Sequence, residues 1–369
     1  MAVYIHQLSD WPAFYWNKVV ISTLIGELQI ARARLLGKME TLGFRLRNEA
    51  NLETLTLDVL KSSEIEGVIF NRDEVRSSVA RKLGLEIAGL VNSDRNIDGV
   101  VEMMLEATQN YNDPITKDRF FKWHSGLFQG LKKDSLNMSI GTWRTNEKQD
   151  PMQVISGPFE RRIIHFQAPD SHLMESEMEA FMYWFNNNDS IDSVLKAAIT
   201  HLWFITIHPF DDGNGRIARA LTDMQLCRAD NNQQRFYSMS AQIRKQRKKY
   251  YTVLEKTQKG DLDITEWLVW FLNCLSEAIK DTEILLANVL AKARFWDNNS
   301  GKIWNERQLI MINKLLDGFT GKLNTSKWAA ITKCSQDTAL RDIQDLINKN
   351  ILVKEKGGGR STSYILIEN

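Results

Sequence analysis

The chain has 369 residues and a mass of 42.6 kDa, which allows two or three domains of ordinary size. Hydrophobic residues make up 43% of it and charged residues 25%, values that exclude a mainly disordered protein. The 47 Lys and Arg nearly balance the 46 Asp and Glu, which excludes a chain-wide basic field for binding nucleic acid or a membrane surface.

Helix-period patterns dominate the chain from its start. They predict helices over Val19–Met39, Leu52–Ile65, Asp73–Gly84, Ile97–Tyr111, Thr116–Leu131, His172–Asn186, Ser193–Ile207 and Asp261–Phe295. One interruption, rich in Pro and Gly, surrounds the short extended run Ile163–Phe166 and predicts a β-hairpin between Gln153 and Pro169. The fold class that we expect is therefore mainly α.

The composition changes after Gly301, where 11 Lys and Arg stand against 7 Asp and Glu. Three helix patterns, the last capped by Ser335 and running to Asn348, precede two short extended runs that flank Lys356–Arg360. This order resembles a winged helix-turn-helix. It predicts that Arg341 and Arg360 contact duplex DNA, with a protein-interaction or dimerisation module as the alternative.

The cysteines and the N-terminus indicate a cellular compartment. Cys227, Cys274 and Cys334 lie far apart, a spacing that offers neither a disulfide framework nor a zinc site. The first residues show no basic segment followed by an apolar run, and the most apolar stretch is too short and too polar to span a bilayer. We expect a cytoplasmic, soluble protein without a membrane partner.

The most informative segment runs from His208 to Arg219. An apolar helix ends before Pro209, the run Gly213-Asn214-Gly215 forms a tight loop, and a new helix follows. Glycines let backbone N–H groups converge, and a helix N-terminus adds partial positive charge. The segment therefore predicts an anion site, to which Arg216 and Arg219 bring guanidinium groups suited to phosphate.

Two further side chains in this segment add chemistry to anion binding. His208 can accept a proton near neutral pH, and a carboxylate beside phosphates, here Asp212, usually holds Mg²⁺. The residues thus predict transfer of a phosphate-containing group to a nucleophile that His208 deprotonates. His201, seven residues earlier on the same helix face, is interpreted as a core histidine.

Other phosphate motifs fail on their spacing. The run Gly213–Ala218 formally matches the dinucleotide pattern GxGxxA, but a helix precedes it and Ser238 stands where an acidic residue would be needed. Gly213 also breaks the order of an EF-hand loop, and no Gly-Lys pair is followed by the Ser or Thr of a P-loop.

These residues resemble the signature of the Fic family, HPFx[DE]GNGRxxR, at every fixed position. The resemblance implies the helical Fic fold from roughly Thr116 to Gln258, and adenylyl transfer from ATP to a Tyr, Ser or Thr hydroxyl of a protein. It implies roles for the following residues. His208 is the general base, Asp212 binds Mg²⁺, Gly213, Asn214 and Gly215 cradle the phosphates, and Arg216 and Arg219 hold the outer phosphates.

A second match lies upstream of the first. Ser62, Glu66 and Gly67 occupy the fixed places of the family's inhibitory motif, [ST]xxxE[GN]. Its position resembles that of the subclass inhibited in cis from the N-terminal side, and the surrounding chain is similar to the helical N-terminal extension of bacterial Fic proteins. The resemblance implies that Glu66 holds the enzyme inactive. In some relatives the same glutamate is implied in removing AMP.

Two more regions resemble parts of the Fic fold. Ile243–Tyr251 looks like the adenine pocket, with Tyr250 as a base contact and Gln258 at a position where many relatives have Asn. The Gln153–Pro169 hairpin resembles the flap that docks the target's backbone by β-augmentation.

We therefore expect a helical domain over residues 1–112, a Fic domain with following helices over 113–298, and a winged helix-turn-helix over 301–369. The expected function is autoinhibited protein adenylyl transfer, with ATP and Mg²⁺, onto an unknown target protein or onto the chain itself. The alternatives are a DNA-binding regulator that senses nucleotide, and a Fic enzyme that moves UMP, phosphate or phosphocholine, or removes AMP. A homodimer is left open.

Overall fold

The computed structural model describes residues 4–87, 89–130, 138–146, 150–158, 161–187, 190–355 and 362–367, with residues 283–285 as backbone only. The chain forms two compact units, one of Met1–Gly84 with Asn92–Glu283 and one of Leu85–Val91 with Ile284–Asn369. The predicted mainly α fold class is confirmed. The division into three domains stays a prediction.

The first unit is built from helices and one hairpin. The helices are α1 (Lys18–Glu40), α2 (Phe44–Ile65), α3 (Arg72–Lys82), α4 (Arg95–Gln109), α5 (Lys117–Leu127), α6 (Met174–Asn187), α7 (Ser193–Ile207), α8 (Asn214–Asp230), α9 (Met239–Lys245), α10 (Arg247–Gln258) and α11 (Thr265–Asn298), the last of which continues into the second unit. Helices α7 and α8 pack against each other, and α7 is buried from Val194 to Ile207. The turn between these two helices carries the Fic-like motif.

Helix α2 begins at Phe44, eight residues before the predicted start at Leu52. Its first turns carry polar residues that give no apolar period, yet they are held by specific partners. Arg47 donates to the side chain of Gln234 at 2.7 Å, and the side chain of Asn51 accepts from the backbone N–H of Arg235 at 2.7 Å. A helix buried through polar contacts is invisible to an apolar pattern.

The predicted hairpin is present as strands β1 (Gln153–Ser156) and β2 (Ile163–Gln167). They pair antiparallel, with a register shift between Val154 and Ile155. Helix α5 ends at Leu127, and the predicted helix end at Leu131 lies outside the described residues.

The second unit has the predicted order of elements. Helices α12 (Glu306–Leu316), α13 (Thr325–Thr332) and α14 (Gln336–Asn348) precede the antiparallel strands β3 (Leu352–Lys354) and β4 (Tyr364–Leu366). Ser335 is confirmed as the N-cap of α14, since its hydroxyl accepts from the N–H of Thr338 at 3.2 Å. Lys356–Arg360 lies outside the described residues. Among the described helices, none has the length and apolarity to cross a bilayer.

Candidate active site

The turn between α7 and α8 is fixed by its own residues. His208 ends α7 in the left-handed conformation, with φ of 52°, and Gly213 opens α8 with φ of 83°. The buried Asn214 side chain closes the loop, because its amide nitrogen donates to the carbonyl of Phe210 at 2.7 Å and its oxygen accepts from the N–H of Phe210 at 3.0 Å. Asn214 therefore shapes the loop, and the converging N–H groups of α8 face the expected anion site.

The imidazole of His208 is set up to accept a proton. Nδ1 lies 3.2 Å from the carbonyl of Ile205, and because a carbonyl only accepts, Nδ1 carries the hydrogen. Nε2 has no hydrogen-bond partner among the described residues and keeps its lone pair. Burial is the main cause that lowers the pKa of His208 to about 4, and the nearby Arg144 lowers it too, while the hydrogen bond to Ile205 and the charge of Glu66 only partly oppose them. His208 is therefore neutral at neutral pH.

Arg144 is a site residue that the sequence analysis missed. Its buried guanidinium donates through Nε to the carbonyl of His208 at 2.7 Å and also contacts the carbonyls of Pro169 and Ile207, while its backbone N–H donates to the carbonyl of Pro209 at 2.9 Å. Arg144 thus contacts the backbone carbonyls of His208, the predicted base, and of its two neighbours in the chain. It lies far from the motif in sequence, and a single arginine has no periodic signal by which it could be found.

His124 supports the same loop from the side of α5. Its Nδ1 accepts from the N–H of Gly141 at 2.9 Å, so its Nε2 donates to the carbonyl of Asp212 at 3.2 Å. The ring stacks on Phe210 with centroids 4.1 Å apart. Burial lowers the pKa of His124 to about 4. The neutral ring of His124 therefore holds the backbone carbonyl of Asp212 in the turn between α7 and α8.

The two motif arginines are buried and retain unsatisfied donors. Arg216 lies over the ring of Phe128, 5.3 Å from its centroid, and its Nε has no partner among the described residues. Arg219 likewise keeps Nη1 without a partner there. Buried guanidinium donors without partners are costly unless an anion joins them. Their position at the start of α8 fits the phosphate site that the sequence predicted.

Glu66 lies against Gly215 and Arg219 of α8, where the sequence predicts the anion site. Its Oε1 accepts from Nη2 of Arg219 at 2.8 Å and lies 2.0 Å from where a Cβ on Gly215 would be. Arg219 also donates to the hydroxyl of Ser62 at 2.8 Å and to its carbonyl at 2.9 Å. Gly67 then turns the chain away with φ of 85°. The carboxylate thus contacts the arginine and approaches the glycine that the sequence predicts as phosphate contacts.

The side expected to bind adenine is tightly packed. Tyr250 is buried and its hydroxyl donates to Nε2 of His201 at 3.0 Å, while Nδ1 of His201 donates to the hydroxyl of Thr222 at 2.9 Å. His201 is thus a satisfied core residue, as interpreted from sequence, and burial lowers its pKa to about 3. Gln258 is also buried, and its amide donates to Thr206 at 3.2 Å. Base contacts through Tyr250 and Gln258 stay predictions.

Asp212 is the metal candidate, and its environment fits that role. Its side chain is 60% exposed; Oδ1 accepts from the N–H of Gly213 at 2.6 Å, and Oδ2 lies 3.5 Å from Arg216. No group of three or more His, Cys, Asp or Glu suited to a metal exists among the described residues. A single exposed carboxylate beside a phosphate site suits Mg²⁺, which commonly takes one or two carboxylates, substrate phosphates and water.

The hairpin borders a cleft next to the motif. A cavity of about 370 Å³ is lined by residues of the hairpin and of the preceding loop together with Asp211. On the hairpin, Ile155, Ile163 and Ile164 are exposed. Nδ1 of His165 lies 2.8 Å from Glu255 of α10, which ties the hairpin to the helix that carries Tyr250. The hairpin therefore presents exposed side chains at a cavity that Asp211 of the α7–α8 turn also lines.

The family models match two parts of the chain. The Fic/DOC family model matches residues 114–226, and the model of a domain of unknown function, DUF4172, matches residues 4–85. The first of these ranges includes His208, Arg216 and Arg219 with the whole α7–α8 turn. The chain therefore contains a Fic/DOC-family domain.

Similar proteins support the same assignment. Over 103 residues the chain is 31% identical to a probable protein adenylyltransferase of Aquifex aeolicus, covering 28% of this chain and 30% of that protein. Over 87 residues it is 37% identical to the protein adenylyltransferase Fic of Drosophila virilis, covering 23% of this chain and 17% of the relative. The chain thus spans less than a third of these relatives.

Solved structures share the fold. A Fic family protein from Desulfovibrio desulfuricans superposes with a TM-score of 0.54 at 18% identity, covering 96% of this chain and 98% of its own. Fic-1 from C. elegans gives a TM-score of 0.51 at 20% identity, with 73% of both chains covered. At these identities the likeness shows the Fic fold.

The low pKa of His201 has a measurable consequence for stability. The pKa of His201 is near 6.5 in the unfolded chain and about 3 in the folded protein. As pH falls below 6.5, the unfolded chain binds a proton that the folded protein does not bind, and the folded state is destabilised. We expect the stability advantage of the wild type over His201→Gln to shrink by up to about 1.4 kcal/mol per pH unit between pH 6 and 5. Denaturant unfolding at several pH values measures this, and a constant difference would contradict it.

Proposed function

We propose that the chain is a protein adenylyltransferase that transfers AMP from ATP to a hydroxyl side chain of a protein. The observation that carries the proposal is the neutral His208, whose Nδ1 is bound to Ile205, in the turn that leads to the buried Arg216 and Arg219 with their unpartnered donors. The Fic/DOC match and the adenylyltransferase names of the relatives support the choice of AMP as the group that moves.

The mechanism is a single displacement at phosphorus. Nε2 of His208 removes the proton of the target hydroxyl, and the oxygen forms a bond to the α-phosphorus of ATP while the bond to pyrophosphate breaks. The N–H groups at the start of α8 and the guanidinium groups of Arg216 and Arg219 hold the phosphate oxygens. Arg144 keeps His208 in place, and the Nδ1 bond to Ile205 fixes the ring. In this mechanism the residues of the chain itself remove the proton and position the phosphates.

Asp212 would hold Mg²⁺, which when bound neutralises charge on the pyrophosphate portion. We expect Asp212→Asn to lower transfer by roughly 10²-fold or more, because a metal on phosphoryl oxygens contributes several kcal/mol and the amide lacks the needed charge. The amide oxygen can still accept from Gly213, so the loop should persist. Chelation with EDTA should also abolish transfer. AMP incorporation measures both effects, and activity in EDTA would contradict them.

Asp211→Asn is the matched control for Asp212→Asn. It removes the same charge one residue away, where the carboxylate accepts from the N–H of Ser139 at 2.9 Å, whereas that of Asp212 accepts from Gly213. Its transfer should keep the Mg²⁺ dependence of the wild type. Excess Mg²⁺ should fail to restore Asp212→Asn.

Autoinhibition by Glu66 is part of the proposal. The carboxylate occupies Arg219 and covers Gly215, so the outer phosphate of ATP would lose its arginine. Ser62 binds the same guanidinium twice and supports this arrangement.

The hairpin β1–β2 is proposed as the docking site for the target's backbone, since its exposed edge stands beside the cleft near Asp211.

A label-transfer experiment tests the proposed function. The protein, with Glu66→Gly included to remove the proposed inhibition, is incubated with cell extract and with ATP labelled at either the α- or the γ-phosphate. Adenylyl transfer places the α-label, and not the γ-label, on protein, and mass spectrometry locates it on the chain itself or on a target. Incorporation of the γ-label would instead indicate phosphate transfer. Competition by UTP or a phosphocholine nucleotide would reveal another transferred group.

DNA binding by the second unit stays a prediction. The exposed positions of α14 include Gln336, Asp337, Arg341 and Gln344, so one cation stands beside one anion. Arg360, the predicted wing contact, lies outside the described residues. This balance of charge gives no added support for a phosphate contact by α14. The regulator and the interaction module therefore remain alternatives for this unit.

A further inference from the structure

The last turn of α2 contacts α9 and α10 next to Glu66. Glu64 forms an ion pair with Arg244 at 2.9 Å and with Lys61 at 2.5 Å. Arg247 donates through Nε to the carbonyl of Ile65 at 3.2 Å. These contacts adjoin Glu66, but none of them includes a fixed position of the Fic signature or of the inhibitory motif.

These contacts bring positive charge to the C-terminal end of α2. A helix C-terminus leaves carbonyls unpaired and favours nearby cations. The last turn of α2 contains no basic residue, so the cations come from other helices, Arg244 from α9 and Arg247 from α10. The pKa of Glu64 is lowered by Lys61 and by Arg244, which agrees with an ionised partner in this pairing.

We propose that Glu64, Arg244 and Arg247 form a latch that positions the end of α2 so that Glu66 occupies Arg219. Glu66 is the first residue after α2, and its backbone N–H donates to the carbonyl of Ser63 at 3.1 Å. Its side chain can reach Arg219 only while that last turn keeps its place. The latch rests on the proposed autoinhibition, and it names the residues that position Glu66.

The latch also links inhibition to the expected base pocket. Arg247 lies over the ring of Tyr251, 5.1 Å from its centroid, in the segment that would receive adenine. A nucleotide that moves Arg247 or Tyr251 would thereby weaken the hold on Ile65. Since coupling between sites is reciprocal, loosening the latch should also favour nucleotide binding.

The test is the affinity for ATP with Mg²⁺ of Glu64→Gln, measured by calorimetry in two backgrounds. Gln keeps the size of Glu and removes its charge at a partly exposed position, so the fold should persist. With Glu66 present, we expect Glu64→Gln to bind ATP about two- to fivefold more tightly, the scale of a surface ion-pair network. With Glu66→Gly, the same change should have no effect. AMP incorporation should follow the same pattern.

Three controls separate the latch from general effects of charge and folding. Glu277→Gln removes a similar exposed pair with Lys280, three residues along a helix as Lys61 and Glu64 are, and should leave affinity unchanged. The double change Glu64→Arg with Arg244→Glu restores opposite charges between α2 and α9 but leaves a like charge beside Lys61, so affinity should return only part of the way to the wild type. The effect of Glu64→Gln should shrink at high salt, because exposed pairs are screened.

Each outcome decides between the latch and its alternatives. An equal effect of Glu64→Gln in both backgrounds would indicate direct nucleotide electrostatics and overturn the latch. An unchanged affinity of Glu64→Gln, alongside tighter binding by Glu66→Gly, would overturn the latch and leave autoinhibition standing. If Glu66→Gly itself bound ATP no more tightly, autoinhibition and the latch would both be wrong.

Discussion

His208→Ala should lower AMP transfer by about 10²–10⁴-fold, the usual contribution of a general base. The methyl group cannot take the proton of the attacking hydroxyl. ATP binding should persist, because the side chain of His208 contributes to the loop only through the hydrogen bond of Nδ1 to Ile205, among the residues that the structure describes. The change is measured as AMP incorporation in the Glu66→Gly background, with ATP affinity measured in parallel. Transfer at the rate of the parent would rule out His208 as the base.

The control for His208→Ala is His172→Ala. The side chain of His172 is 68% exposed, and its nearest acid is Asp170 at 4.0 Å. Removing this histidine should leave transfer unchanged. A drop in both ATP affinity and unfolding temperature of His208→Ala would mean that its effect comes from collapse of the α7–α8 turn.

The central site could be predicted from sequence because its residues are contiguous. His208, Gly213 and Arg219 lie within one turn and the helix that follows it, so their chemistry and spacing can be read together. The structure places Gly213 at the N-cap of α8 and Arg219 buried within that helix, and their binding of an anion stays a prediction. Glu66 could be paired with that site only through the resemblance, since 153 residues of chain separate it from Arg219.

Residues that act from a distance in sequence were harder to predict. Arg144 and His124 hold the carbonyls of His208 and Asp212, yet each is a single polar residue without a motif. Asn214 belongs to the motif, but its side chain bonds to Phe210 and closes the loop. Spacing alone predicts which residues share a turn, and it does not reveal which buried polar groups become partners after folding.

The N-terminal half of α2 shows the same limit at the level of the fold. Periodicity detects helices that bury apolar faces, as α7 does over its whole length. Helix α2 instead buries Asn51, Asp58 and Ser62 against polar partners, of which Ser238 donates to Asp58 and Arg219 donates to Ser62. At the start of the helix, Arg47 and Asn51 bond to Gln234 and Arg235, in the segment between α8 and α9.

Glu66→Gly should raise AMP incorporation by about 10²-fold. In the wild type the carboxylate of Glu66 lies 2.8 Å from Arg219 and next to Gly215. Under the proposed inhibition the outer phosphate of ATP would lack its arginine, and the α-phosphorus would lie out of line. A misplacement of about 1 Å costs roughly 10²-fold in rate. Like charge adds to the effect, because a carboxylate beside the γ-phosphate repels it.

The same change should tighten ATP binding by tenfold or more, since an arginine released from Glu66 makes charge-assisted hydrogen bonds to phosphate. Arg219 should stay in position without Glu66, because Ser62 still accepts from it through both hydroxyl and carbonyl. Glu66→Asp should release inhibition in part, as the shorter acid reaches less far toward Arg219. The order of incorporation is therefore expected to be Glu66→Gly, then Glu66→Asp, then wild type.

The measurement compares AMP incorporation by the three proteins at matched ATP concentration, with Glu66→Gly/His208→Ala as the blank for label that is not enzymatic. A reverse activity can be followed in the same series, by loading the Glu66→Gly protein with AMP and then adding each variant without ATP. Loss of AMP that requires Glu66 would add a hydrolytic role, in which the carboxylate positions water. Equal incorporation by wild type and Glu66→Gly, with His208 intact, would mean that Glu66 pairs with Arg219 without inhibiting the enzyme.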